Sequence, residues 1–156
     1  MQIHLISIGD RMPAWVNSGY DEYAKRLPKE CQLLLHQVTA GKRLKNTDLS
    51  RLTKLEGEKL VAAIPKRAYV VALDVTGKAW TTFELSVSLK RWMALGQPLA
   101  LLVGGPEGLA DDVRQKASEA WSLSPLTFPH PLVRVVVAEQ IYRAWTILSN
   151  HPYHRE

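Results

Sequence analysis

The side chains best suited to chemistry are concentrated between Gly104 and Trp145. An apolar run ends in GGPEG, the loop SLSPLTFP follows, and a helical pattern then carries a histidine, an arginine and a glutamate. His130 and Arg134 are one helical turn apart, so they lie on one face of that helix. Histidine has an ordinary pKa close to neutrality, which suits proton transfer. Loops at strand ends beside such a helix predict an enzyme site.

Glu139 and Arg143 also lie one helical turn apart, in the order that favours an ion pair. Such a pair on a helix surface stabilises by roughly a few tenths of a kcal/mol. From spacing alone we therefore interpret it as structural.

The GGPEG turn has two possible roles. Gly104 and Gly105 lack a Cβ atom, so a ligand could approach the backbone closely. The segment matches neither the dinucleotide motif G-x-G-x-x-G nor the P-loop with its terminal GK[ST], so neither ligand is predicted. A turn that serves only to reverse the chain explains the glycines equally well. The next helix is expected to begin near Ala110.

The loop between residues 122 and 131 contains three prolines and should be stiff and extended. Many of its backbone groups would lack partners within the chain. A heterocycle such as adenine could bond to them while its ring rests on Leu123, Leu126 or Phe128. A rigid structural crossover remains the alternative.

Hydrolysis and metal chemistry find little support. Ser122 or Ser124 with His130 would need a nucleophile elbow, and the G-x-S-x-G pattern is absent. His151 and His154 have a spacing found in zinc sites, but no cysteine pair accompanies them. We therefore expect no metal.

Composition indicates a soluble protein with a polyanionic partner. At 156 residues the chain fits one domain, residues 1–156, and its net charge of +5 favours nucleic acid, although a solvated basic face would give the same charge. No run approaches the eighteen or so apolar residues of a membrane span. The lone cysteine, Cys31, excludes an internal disulfide and indicates the cytoplasm.

Strands and helices alternate along the chain, which predicts an α/β fold. Apolar runs at residues 68–73 and 98–103 are continuous, as in a mostly parallel sheet with helices on both faces. Thr81 and Glu84 have the spacing of a capping box at the start of a helix. In such sheets ligands bind beyond the carboxyl ends of the strands. Here those ends are Leu73 and Asp74, the GGPEG turn and the proline-rich loop.

Four segments together resemble the RlmH group of the SPOUT-type RNA methyltransferases. They are LLVGGPEGL at 101–109, WSLSPLTFPHPLVR at 121–134, EQIYRAW at 139–145 and NHPYHRE at 150–156. Weaker matches extend the resemblance over essentially the whole chain. It implies the SPOUT fold with a deep trefoil knot in the C-terminal part, an exception to the rule against knots. It also implies a homodimer whose sites are completed across the interface.

The resemblance further implies S-adenosylmethionine as the cofactor and N3 of a pseudouridine in 23S rRNA of the assembled ribosome as the target. The cofactor residues carried over are Leu73, Gly104, Gly105, Leu123, Ser124, Pro125, Leu126, Thr127 and Phe128.

The N3 nitrogen carries a proton, so a base must remove it. The candidates are His130 and Glu139, and Arg134 is expected to stabilise the ring anion or hold a phosphate. The expected RNA-binding residues are Arg143, Tyr153, His154 and Arg155. The last three form an aromatic and basic tail suited to stacking on a splayed base. Two alternatives stay open: a methyltransferase of the same architecture acting on tRNA or on an unmodified uridine, and a noncatalytic RNA-binding factor.

Overall fold

The computed structural model describes residues 1–155. Five strands form one sheet in the order β2-β1-β4-β3-β5, and every neighbouring pair is parallel. The strands are β1 Gln2–Ile8, β2 Gln32–Val38, β3 Tyr69–Ala79, β4 Leu99–Val103 and β5 Glu119–Ser122. The helices are α1 Ala14–Ala24, α2 Leu49–Ala62, α3 Thr82–Ala94, α4 Asp111–Lys116 and α5 His130–Leu148. The α/β class with a parallel sheet is confirmed.

Helices cover both faces of the sheet. On one face α5 packs against α1 and α3, and on the other face α2 packs against α4. The central strand β4 is buried at every position, and β1 is buried from Ile3 to Ile8. Because these strands contact helices on both sides, the sequence of β4 is continuously apolar, whereas β1 buries the polar residues His4 and Ser7 among its apolar ones.

Two element boundaries differ from the sequence prediction. Strand β3 does not end at Asp74 but continues to Ala79, because a register shift after Leu73 lets Lys78 pair with Trp121 of β5. The helical pattern in the sequence extends over residues 110–120, whereas helix α4 ends at Lys116, since the next residues leave the helix to form β5. The ends of these elements are fixed by pairing between strands that are distant in the sequence. Local sequence patterns do not encode such pairing.

The predicted capping box at the start of α3 is confirmed. The Thr81 hydroxyl accepts a hydrogen bond from the Glu84 backbone N–H at 3.1 Å, and the Glu84 carboxylate accepts one from the Thr81 N–H at 2.8 Å. The interaction fixes where α3 begins, directly after the end of β3. From this first residue, the helical period places the apolar face of α3 against the sheet.

Helix α5 is the longest element, and its length separates the residues of its first turn from those near its end. The helical spacing in the sequence predicts one core stripe, and its members Val137, Ile141 and Ala144 are fully buried while Val133 and Leu148 are partly buried. At about 1.5 Å per residue its 19 residues span about 28 Å, so its two ends cannot serve one small site. No helix within residues 1–155 has the length and apolar character needed to cross a membrane.

Candidate active site

A cavity of about 760 Å³ opens beyond the carboxyl end of β4 and beside the register shift that follows Leu73 in β3. Its volume lies in the range of small-molecule binding sites. Most of the cofactor residues expected from the sequence line it, namely Leu73, Gly104, Gly105, Leu123, Ser124, Leu126, Thr127 and Phe128. Pro125 lies outside this lining. The loops predicted to meet at the strand ends therefore do meet, around a shared cavity.

The glycines of the GGPEG turn are required by the turn itself. A Cβ atom on Gly104 would collide with the backbone of Gly108 and lie 2.9 Å from the Leu109 nitrogen. The Gly108 N–H donates to the Gly105 carbonyl at 2.9 Å, and Gly108 has a φ of +80°, a conformation that favours glycine. Chain reversal thus accounts for these glycines, and the tight turn forms one wall of the cavity.

The proline-rich loop forms the opposite wall and leaves backbone donors open. Ser124 closes a local turn, because its hydroxyl accepts from the Leu126 N–H at 3.0 Å. Within residues 1–155, the backbone N–H groups of Thr127 and Phe128 donate no hydrogen bond to another backbone group or side chain. Leu126 is 71% exposed. Open amides beside apolar side chains suit the edge and face of a heterocyclic ring.

His130 lies on the rim of this cavity, at the first position of α5. Burial lowers its pKa below the ordinary value of 6.5, and the positive charges of Arg134 and Arg43 lower the pKa further. The imidazole is therefore neutral at neutral pH and able to accept a proton. The turn after β1 lies close by, since a Cβ atom on Gly9 would be 3.6 Å from His130 Nε2.

The structure places Arg134 beneath the site rather than in it. Its side chain is fully buried and lies outside the cavity lining. The guanidinium donates to the Ser7 hydroxyl and the Gly9 carbonyl, both at 3.1 Å, and to the Gln37 side-chain oxygen at 3.0 Å. Burial lowers the pKa of Arg134. These contacts join α5 to the carboxyl ends of β1 and β2, an arrangement that favours a structural role.

Glu139 and the expected RNA-binding residues form a separate cluster. The Glu139 carboxylate accepts from Arg143 Nε at 2.9 Å and from the Tyr153 hydroxyl at 3.1 Å. Arg143 Nη1 lies 3.1 Å from His154 Nδ1, and its guanidinium carbon lies 4.9 Å from the Tyr153 ring centre. Burial, followed by the Glu139 charge, raises the pKa of Tyr153 to about 12. Arg155 is exposed nearby in the chain.

The predicted ion pair of Glu139 and Arg143 is therefore present, but it is mostly buried, with side-chain exposures of 16% and 26%. Glu139 lies nine positions along α5 from His130, which corresponds to about 14 Å along the helix axis. The two candidate bases thus lie in different parts of one chain, and His130 alone lines the cavity.

Four charged residues at or beside the site, Arg43, Glu56, Glu107 and Arg114, were not identified as site residues from the sequence, and Asp74 was noted only as a strand end. Glu107 of the GGPEG turn lines the cavity and is bonded to Arg43, which also contacts Glu56 on α2. On another wall Asp74 pairs with Arg114 at 2.6 Å. Arg43 and Glu107 are 64 positions apart, so no local spacing could reveal their contact. In the sequence, Arg43 is notable only as part of a basic segment with Lys42 and Lys45.

The remaining histidines do not assemble a metal site. His4 Nδ1 and His36 Nε2 lie 2.7 Å apart on adjacent strands and share a hydrogen bond. Between Met1 and Arg155, no three His, Cys, Asp or Glu side chains are grouped so that they could hold a metal ion. His151 and His154, considered above for zinc, instead contact the aromatic and basic groups at the end of α5.

Comparison with known proteins defines the class. A family model described as "Predicted SPOUT methyltransferase" matches residues 1–154, and the chain therefore belongs to the SPOUT methyltransferase family. A structure titled "The structure of a probable methylase family protein from Haemophilus influenzae Rd KW20" is similar in fold, with a TM-score of 0.56 and 12% identity, over 99% of this chain and 70% of that chain.

Within that class, two full-length relatives are much more similar. Both are named "Ribosomal RNA large subunit methyltransferase H". The protein of Methylococcus capsulatus (strain ATCC 33009 / NCIMB 11132 / Bath) is 58% identical over 155 residues, covering 99% of this chain and 100% of the relative. The protein of Thioalkalivibrio sulfidiphilus (strain HL-EbGR7) is 61% identical over 156 residues, covering 100% of both. The RlmH resemblance is thereby confirmed.

Proposed function

We propose that this protein transfers a methyl group from S-adenosylmethionine to N3 of a pseudouridine in 23S rRNA, acting as a cytoplasmic homodimer on the assembled ribosome. The observation that carries the proposal is the cavity between the GGPEG turn and the proline-rich loop, with the neutral imidazole of His130 on its rim. The names of the full-length relatives support the choice of large-subunit rRNA.

The cavity fits the proposed cofactor in size and in chemistry. The open amides of Thr127 and Phe128 would bind a purine edge, and Leu73 and Leu123 would hold its ring. The residues that would complete the cofactor site are Gly104, Gly105, Ser124, Pro125 and Leu126. When bound, S-adenosylmethionine supplies an electrophilic methyl group on a positively charged sulfur.

His130 would perform the proton transfer. A pseudouridine N3 that forms a bond to carbon must lose its proton, and a neutral imidazole with a lowered pKa accepts one at neutral pH. The negative charges of Glu107 and Glu56 act in the opposite direction and offset part of this lowering of the His130 pKa. They therefore stabilise the imidazolium after transfer. Glu139 is the weaker candidate, because Arg143 and Tyr153 already occupy its carboxylate.

The RNA would be held by Arg143, Tyr153, His154 and Arg155, through stacking and phosphate contacts. Arg143 lies thirteen residues along α5 from His130, or about 20 Å. The tail of one chain is thus remote from the cavity of the same chain. A dimer in which each tail serves the partner's cavity, as the family resemblance implies, would bring the two together.

The proposal is tested by incubating the protein with ribosomes and S-adenosylmethionine that carries a labelled methyl group. Mass spectrometry of the digested rRNA should find the label on one N3-methylated pseudouridine of the large subunit. Matched reactions contain free 23S rRNA, tRNA, and ribosomes with uridine in place of pseudouridine. Label in tRNA or in unmodified uridine would support the other methyltransferase candidates and contradict the proposed target.

Cofactor binding is measured separately by calorimetry without RNA. Stoichiometric binding of S-adenosylmethionine is expected, while its absence would remove the enzymatic proposal altogether. Binding to ribosomes should weaken steeply as salt rises, because phosphate contacts release counterions.

A further inference from the structure

Arg43 connects three segments that are distant in the sequence. Its guanidinium donates to the Glu56 carboxylate on α2 through Nη1 at 3.1 Å and Nη2 at 2.8 Å. The same group donates to Glu107 through Nε at 3.1 Å and Nη2 at 2.7 Å. Nη1 also donates to the Gly41 carbonyl at 3.1 Å, and the Gly41 N–H donates to Glu56 at 2.8 Å. A single side chain thus joins the loop after β2, helix α2 and the GGPEG turn.

We propose that Arg43 is a positioning residue for methyl transfer: by bonding to Glu56 and Glu107 at once, it fixes the GGPEG turn beside His130. The inference rests on the proposed function, since it concerns the same cavity. Arg43 itself lies outside the cavity lining, whereas its partner Glu107 lies within it. It therefore acts through the turn and makes no contact with the reacting atoms.

Packing around this contact shows that the turn is seated on it. A Cβ atom on Gly105 would lie 3.1 Å from Arg43 Nη2 and 3.4 Å from Glu56 Oε1. The backbone of the turn therefore rests directly on the ion pair. The Glu56 side chain is only 5% exposed, and a buried carboxylate needs its cation to remain stable.

The geometry requires arginine rather than lysine. The planar guanidinium presents several N–H donors in a fixed fork and can bond to two carboxylates in different directions. A lysine ammonium carries the same charge but cannot reproduce both paired contacts. Loss of this fork should leave the charge in place and release the turn.

The same network acts on His130 through charge. The groups that influence the pKa of His130 are Arg134 on its own helix, Arg43, Glu56 on α2 and Glu107 in the turn. The two arginines lower the pKa of His130, and the two glutamates raise it. Removing Arg43 should therefore move the pKa of His130 upward, whereas removing the Glu107 charge should move it downward. These shifts report the charge of the network on His130, and the charge-conserving variant Arg43→Lys separates that charge from the positioning of the turn.

The test compares Arg43→Met, Arg43→Lys and Glu107→Gln in single-turnover methyl transfer to ribosomes at saturating S-adenosylmethionine. We expect Arg43→Met to slow transfer by about tenfold to a hundredfold, the loss typical of a misplaced reacting group. The acid limb of the pH profile is the fall in transfer rate at low pH, where His130 becomes protonated. This limb should move to higher pH in Arg43→Met and to lower pH in Glu107→Gln. Arg43→Lys should keep the limb near its original position while transfer remains slow.

Lys42→Met is the matched control, because it removes an exposed positive charge from the same loop without touching the network. It should leave the acid limb and the affinity for S-adenosylmethionine unchanged. Circular dichroism and thermal melting establish that each variant is folded. If Arg43→Met unfolds, Arg43→Lys and Glu107→Gln still test whether Arg43 positions the turn. Folded variants with unshifted limbs and normal rates would overturn the role of Arg43. Failure of the wild-type protein to bind the cofactor would instead overturn the proposed function.

Discussion

At the scale of single residues, the proposed mechanism depends on an imidazole kept neutral by its surroundings. His130 is partly buried at the start of α5, and two nearby guanidinium groups disfavour its protonation. A base of this kind is ready to accept a proton at neutral pH without first losing one. The two carboxylates nearby then offset part of the cost of the imidazolium that forms.

The first prediction concerns the pH dependence of transfer. Because the pKa of His130 is lowered from 6.5, its neutral form persists as pH falls through neutrality. The transfer rate should therefore decline only when the pH falls below 6.5. His130→Gln should remove this acid limb and slow single-turnover transfer by about a hundredfold or more. His36→Gln, on the far strand β2, is the control and should keep the limb. An unchanged profile in His130→Gln would exclude His130 as the base.

The second prediction concerns Arg134. Replacing it with methionine leaves the Ser7 hydroxyl and the Gly9 carbonyl without their buried donor, at a cost of about 1–3 kcal/mol. For a chain of this size that lowers the melting temperature by about 2–12 °C. Arg134→Lys should recover part of the loss by restoring one donor. Normal melting together with abolished transfer would instead support the direct contact with rRNA expected from the sequence.

At the scale of elements, the sequence predicted those features that depend on local patterns. The continuous apolar runs, the capping box of α3 and the core face of α5 all followed from periodicity and spacing. The end of β3 did not, because its extension depends on pairing between Lys78 and Trp121. Arg43 was recognised only as a basic residue, since its partners are brought to it by the fold.

The GGPEG turn provides a prediction at this scale. Gly104→Ala places a methyl group against the backbone of Gly108, so the turn must open. The affinity for S-adenosylmethionine should fall by about tenfold or more, as expected when a wall of the binding site moves by an ångström. Calorimetry measures the affinity, and circular dichroism verifies that the sheet is retained. Wild-type affinity in this variant would show that the turn takes no part in cofactor binding.

At the scale of the whole molecule, the principal feature is the separation of cavity and tail. Helix α5 begins at the cavity, and Arg143, which lies together with Tyr153 and His154, is about 20 Å along the helix from His130. Spacing in the sequence gives this separation once the helix is known, but it does not show that the cavity lies at one end of α5. The knot stays a prediction for a related reason: patterns of strands and helices do not record which loop the chain passes through.

A mixing experiment tests whether the tail serves the partner's cavity. One variant, Gly104→Val, retains its tail but cannot form the cavity wall, and the other ends after Pro152 and retains its cavity. Each should be inactive alone. If subunits exchange freely, half of the dimers are mixed and one of their two sites is complete, so about a quarter of wild-type activity should return. A tail that acted on its own chain would restore nothing, because neither variant then holds a complete site. Size-exclusion chromatography with differently tagged chains verifies that mixed dimers have formed.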